Sequence, residues 1–157
     1  MANAKPIPEG YSTVTPSLTS NDAARAIEFY KKALGATERM SMKGPEGKVM
    51  HAELLIGNSI VMVCDEVMNM RSPKTIGGSP VSFYLYVEDA DEAFRKAISA
   101  GGKEIYAVRD EFWGDRVGGF EDPFGYHWSL ATHTRELSAQ EIERASQEWM
   151  KKQMATH

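Results

Sequence analysis

The chain repeats itself. Residues 13–35 read TVTPSLTSNDAARAIEFYKKALG, and residues 80–101 read PVSFYLYVEDADEAFRKAISAG. Each copy is a short strand-like run, then acidic or amide residues able to cap, then an amphipathic stretch, then glycine. Ala24, Ile27, Phe29, Tyr30 and Leu34 recur at helical spacing in the first copy, and Ala93, Phe94, Ala97 and Ile98 in the second. Asn21 or Asp22 can cap the first helix and Asp89 or Asp91 the second. Gly35 and Gly101 suit the left-handed residue that closes a helix. Strand signals follow each helix: KVMHAELLIGNSIVMVCDE, with a Gly57-Asn58 turn, in the first copy, and KEIYAV, GDRVGGFEDP and YHWSLATH in the second. The order strand, helix, then about three strands is therefore performed twice, over about residues 11–66 and 79–134.

Between the copies, EVMNMRSPKTIGGSP is rich in Met, Gly and Pro and reads as a linker or a flap. SAQE, with Ser138 as cap and Glu141 three residues on, is a capping box opening a C-terminal helix over about 138–153. Lys151 and Lys152 sit at the end that favours cations.

A length of 157 residues fits one domain able to bury a core without disulfides. The single cysteine, Cys64, excludes an internal disulfide and a cysteine-cluster zinc site, and suits a reducing compartment. Net charge is −4, and no segment concentrates Lys and Arg, so nucleic acid is not an expected partner. MANAKPIPEG lacks the apolar core of a signal peptide, and no apolar run could span a bilayer. The expectation is a cytoplasmic protein with no membrane partner.

NDAARAIEFYKKALGA, HAELLIG and EDPFGYHWSLATHT resemble segments of the vicinal-oxygen-chelate superfamily, which includes glyoxalase I, bleomycin-resistance proteins and extradiol dioxygenases. The likeness runs from about Thr13 to His133 and is greatest to the PhnB-like branch. It implies an α+β fold of two tandem βαβββ modules, forming a cup-shaped, barrel-like mixed sheet with helices outside. It also implies a homodimer.

In metal-dependent members, ligands come from the first and last strand of each module. The positions that match here are Thr15 and Met62 in the first module, and Ser82 and Ser129 in the second. Ser82 follows Thr15 by 67 residues, and Ser129 follows Met62 by 67. Hydroxyls and a thioether are poor ligands for a divalent metal, so no cofactor is expected.

Strand alternation puts Val81, Phe83, Leu85 and Val87 under the helix, and Ser82, Tyr84 and Tyr86 on the cup side. His127 and Ser129 face opposite to Tyr126, Trp128 and Leu130. His133 lies six residues beyond His127, which argues against a metal shared by the two. Asp122 in DPFG is expected to bond to the backbone of its turn. Cys64 reads as a small buried residue, and Met62, Met68 and Met70 as gap-fillers or an adaptable surface.

The candidate ligand-binding residues are Thr15, Met62, Ser82, Tyr84, Tyr86, Trp113, Arg116, His127 and Ser129. Trp113 and Arg116 come from EFWGDR, which reads either as a pocket rim for a planar or anionic molecule or as a packed loop. His51 and Glu53 are candidates for acid–base work or for plain solvent exposure. Three functions stand open: a metal-independent small-molecule binder; a metal-dependent lyase or dioxygenase with non-standard ligands such as His51, Glu53 and His127; and a metal-free lyase or isomerase.

Overall fold

The computed structural model describes residues 4–155. The first three residues of MANAKPIPEG and the last two of the chain lie outside that span. Asp22 caps helix α1 (Ala23–Leu34) through the Arg25 N–H, and Gly35 closes it at φ 65°. Asp89 caps α3 (Ala90–Ser99) through the Glu92 N–H. The helix-side residues of both lie in the core.

Each module is a four-stranded sheet with a parallel first pair. β1 (Ser17–Ser20) lies beside β4 (Ser59–Asp65), followed by β3 (Val49–Ile56) and β2 (Thr37–Lys43). β5 (Ser82–Tyr86) lies beside β8 (His127–His133), followed by β7 (Asp115–Glu121) and β6 (Lys103–Asp110). Ser17 pairs with Met62 in the first sheet, and Tyr84 with Ser129 in the second, which preserves the 67-residue offset. The expected two tandem modules in an α+β fold are present. β2, TERMSMK, carried no clear sequence signal because it is an edge strand with every residue exposed.

Among the described residues, the two sheets are not joined by any strand pairing. They meet through the helices: α1 packs on α3, and its Phe29 and Tyr30 reach Phe120, Phe124 and Trp128 of the second module at ring separations of 5.4–6.4 Å. The helices thus lie between the sheets, and each sheet turns its other face outward. The helix-free face of each sheet supplies one half-cup of the expected two-module fold.

Module 2 also supports an edge of module 1. The Tyr126 hydroxyl donates to the Thr19 carbonyl at 3.0 Å and accepts from the Thr19 N–H at 3.1 Å, standing in for a strand neighbour. The linker carries a short helix, α2 (Pro73–Ile76), capped by Ser72. Glu66 ties it down by accepting from the Ser72 N–H and the Thr75 hydroxyl, and these bonds hold its carboxyl down to about 2. The capping box at Ser138 forms as expected and opens α4 (Ala139–Ala155). No residue of α4 is buried, and Trp149 leans on Phe112 at 5.9 Å. Among the described residues, no helix is long and apolar enough to cross a membrane.

Candidate functional site

The outward face of module 2 carries a polar network built on four elements. Asp115, at the start of β7, is only 2% exposed. Its Oδ2 accepts from the Tyr84 and Tyr86 hydroxyls of β5, at 2.8 and 3.0 Å, and from the Trp113 indole at 3.2 Å. Its Oδ1 accepts from His133 Nδ1, at the end of β8, at 2.8 Å. Burial works against the Asp115 charge, but these hydrogen bonds outweigh it and keep the carboxyl below its usual range. The same pairing raises His133 above the ordinary imidazole value. Burial first, and then Asp115, pushes the Tyr84 phenol well up.

Further along this face, Tyr106 and Ser129 share a hydrogen bond of 2.9 Å. A Cβ at Gly119 would run into the Tyr106 ring, so glycine is what lets that ring lie across the sheet. His127 pairs with Glu121 at 3.2 Å. His127 and His133 therefore serve different carboxylates, because β7 and β8 pair Glu121 with His127 and Asp115 with His133.

The outward face of module 1 is partly covered. Gly10 lies near Ile60 Cδ1 and the Arg39 guanidinium. Arg39 sits 5.9 Å over the Tyr11 ring. Tyr11 hydrogen-bonds to Glu53, which raises the phenol and lowers the carboxyl. His51 stands 3.4 Å from Glu53. This strap explains why Ile60, on the outward face, is only 3% exposed. Cys64 is buried as expected, against Thr19 and Met70.

The candidates thus divide. Tyr84, Tyr86 and Trp113 converge on Asp115, while Ser82, His127 and Ser129 share their face. Met62, His51 and Glu53 lie on the outward face of the other sheet. Thr15 precedes β1 and donates to the Ser12 carbonyl. Arg116 does not reach this face. It points to the helix side, where its Nε and Nη2 grip Asp91 of α3 at 2.6 and 2.8 Å. Alternation decides this, because Arg116 follows Asp115 in the strand. Asp115 and His133 were not among the candidates, although the EFWGDR loop and the β8 alternation contain them.

A divalent metal is implied by the metal-dependent relatives of this fold, but the residues do not fit one. Thr15, Met62, Ser82 and Ser129 offer no carboxylate or imidazole. Among the described residues, no three His, Cys, Asp or Glu side chains converge to hold an ion.

A concavity of about 1510 Å³ opens between the modules and reaches Tyr84, Tyr86 and His133 of the Asp115 network. It runs along the free edge of β5, and so meets Phe83 and Leu85 on one face and Tyr84 and Tyr86 on the other. It is open, with apolar walls from Leu34, Ile56 and Leu130, and the Asp115 network borders it through Tyr84, Tyr86 and His133.

Residues 12–130 match the family model described as Glyoxalase/Bleomycin resistance protein/Dioxygenase superfamily. A protein of Mycobacterium tuberculosis is 43% identical over 137 residues, covering 84% of this chain and 81% of its own. Among solved structures, a gene product of Arabidopsis thaliana is 30% identical with a TM-score of 0.63, covering 77% of this chain and 98% of that one. TioX from Micromonospora sp. ML1 is 27% identical, also at 0.63, with 78% and 98% covered. A PhnB protein from Bacillus cereus, at 18% identity and a TM-score of 0.60 over 77% and 99%, shares the fold. Two βαβββ modules on this scaffold, matched over this span, place the chain in the glyoxalase/bleomycin resistance protein/dioxygenase superfamily.

Proposed function

We propose that this protein binds a small organic molecule without a divalent metal, in a cup closed by a second copy of the chain. The observation that carries this is the ring of Tyr84, Tyr86 and Trp113 around buried Asp115: an aromatic surface oriented by a few fixed polar groups, as small-molecule sites require. The chemistry of the four metal-equivalent positions supports the absence of metal.

The homodimer is supported by the arrangement of the half-cups. Met40, Met42, Tyr84 and Tyr86 are exposed on the outward faces. A second copy placing its module 1 face opposite this module 2 face would cover them. The free, buried Cys64 supports a cytoplasmic location.

Three measurements test the reading. A melting screen of aromatic small molecules should find compounds that stabilise the fold by mass action. Sedimentation at micromolar protein should show a dimer. Metal analysis of protein purified without added metal should find less than a tenth of an equivalent. Near-stoichiometric zinc, nickel, iron or manganese would favour the metal-dependent alternative with His51, Glu53 and His127.

A further inference from the structure

The network around Asp115 also positions a base. Both of its oxygens are occupied, three donors on Oδ2 and His133 on Oδ1. Every polar side-chain atom of the cluster is turned toward Asp115 except one, His133 Nε2. That nitrogen faces only Glu136 Oε1, at 3.3 Å, on a side chain that is 95% exposed. A pair so solvated is easily displaced by a ligand. A buried carboxylate that holds Nδ1–H and leaves Nε2 outward fixes the tautomer of a general base.

The surroundings narrow the reaction class. The Tyr84 and Tyr86 rings stand 5.4 Å apart, tilted 59° to each other, and are exposed, so a planar molecule can stack on one ring with the other against its edge. Their hydroxyls and the Trp113 N–H all donate to Asp115, so none is left to steady a new oxyanion. Chemistry through a tetrahedral oxyanion therefore lacks a donor within this cluster. Removal of one proton, with the electron pair spreading through the substrate's own conjugated system, needs none.

We propose that His133, held by Asp115, is the general base of a metal-independent proton abstraction from a weakly acidic C–H of a planar, conjugated compound seated on Tyr84 and Tyr86. The proposal rests on the reading that this face takes the ligand. In the step, the C–H bond breaks and its proton passes to Nε2. The bonding pair remains on the substrate, which isomerises or expels its own leaving group. Nδ1–H stays with Asp115, and the imidazolium returns its proton to substrate or water. No oxidant, reductant or metal enters the balance.

The probe is 5-nitrobenzisoxazole with the full chain. Its C–H proton goes to the base, the pair forms the nitrile, and the N–O bond breaks to give a coloured phenolate. The wild type should accelerate this opening over matched buffer, with a rate that rises as His133 loses its proton. His133→Gln should lose about a hundredfold of the acceleration. His133→Ala should recover rate with added imidazole, which a packing role would not allow. A wild type no faster than buffer, a His133→Gln variant as fast as wild type, or an absence of imidazole rescue would each overturn the proposal. If compounds still raise the melting temperature in that case, the binding reading survives; if none does, both readings fall.

Discussion

The Tyr30 hydroxyl donates to Asp122 Oδ2 at 2.7 Å, joining residues 92 positions apart in different modules. Trp128 Nε1 donates to the same oxygen at 2.8 Å, and the Phe124 and Tyr126 N–H groups to the other at 2.9 Å each. One carboxylate in the DPFG turn thus fixes the turn, anchors the core tryptophan and latches module 1 to module 2. Burial raises its pKa, and the four donors pull against that.

Tyr30→Phe removes the latch and leaves the remaining donors in place. It should lower unfolding stability by about 1–3 kcal/mol. Asp122→Ala should cost more, because buried Tyr30 and Trp128 then have no acceptor. Urea denaturation of both variants is the check, and an unchanged midpoint for Tyr30→Phe would mean the modules hold together without the bond.

Asp115 and His133 set opposite pH slopes. The lowered Asp115 carboxyl contributes stability that is present above its unfolded value and lost as pH falls through the folded one. The raised His133 imidazole contributes stability that is fully present below its unfolded value and lost as pH rises through the folded one. The pair is therefore most stabilising between those two ranges. NMR titration should place His133 above the ordinary imidazole value, and Asp115→Asn should bring it back down.

Phe83 packs under the helix, 4.6 Å from the Trp128 ring and 6.0 Å from Tyr126. Phe83→Ala should cost about 3 kcal/mol, toward the low end for such truncations because the side chain is half-buried. Ser82→Ala, on the outward face of the same strand, should stay within about 1 kcal/mol. Equal losses in thermal unfolding would contradict the strand register.

Arg116→Lys should lower the melting temperature slightly and leave ligand binding unchanged. Lysine cannot reproduce the two-point grip on Asp91 that ties β7 to α3. Weakened binding at constant melting temperature would place Arg116 in the site after all. Trp113→Ala should show that opposite pattern, since Trp113 belongs to the Asp115 network.

The sequence by itself determined the repeat, the cap at Ser138, the choice of Asn21 or Asp22 and of Asp89 or Asp91 as caps, and the face on which each residue of β5 and β8 lies; the structure selects Asp22 and Asp89. These are local properties: a cap needs only its own turn, and alternation only its own strand. The site was legible in part. Tyr84, Tyr86 and Trp113 were visible as aromatic and outward-facing, and the DPFG turn already contained the remainder. A tight turn between antiparallel strands sets Glu121 against His127, and six residues outward on each strand sets Asp115 against His133. Arg116 was misplaced because a loop motif carries no parity until the strand start is known. Two things came only from tertiary structure. Asp115 is joined to β5 through strand order, a non-local pairing that no spacing reveals. The helices lie between the sheets, where Phe29 and Tyr30 bury apolar surface against Phe120 and Trp128, residues about 90 or more positions away in sequence. That packing turns both half-cups outward.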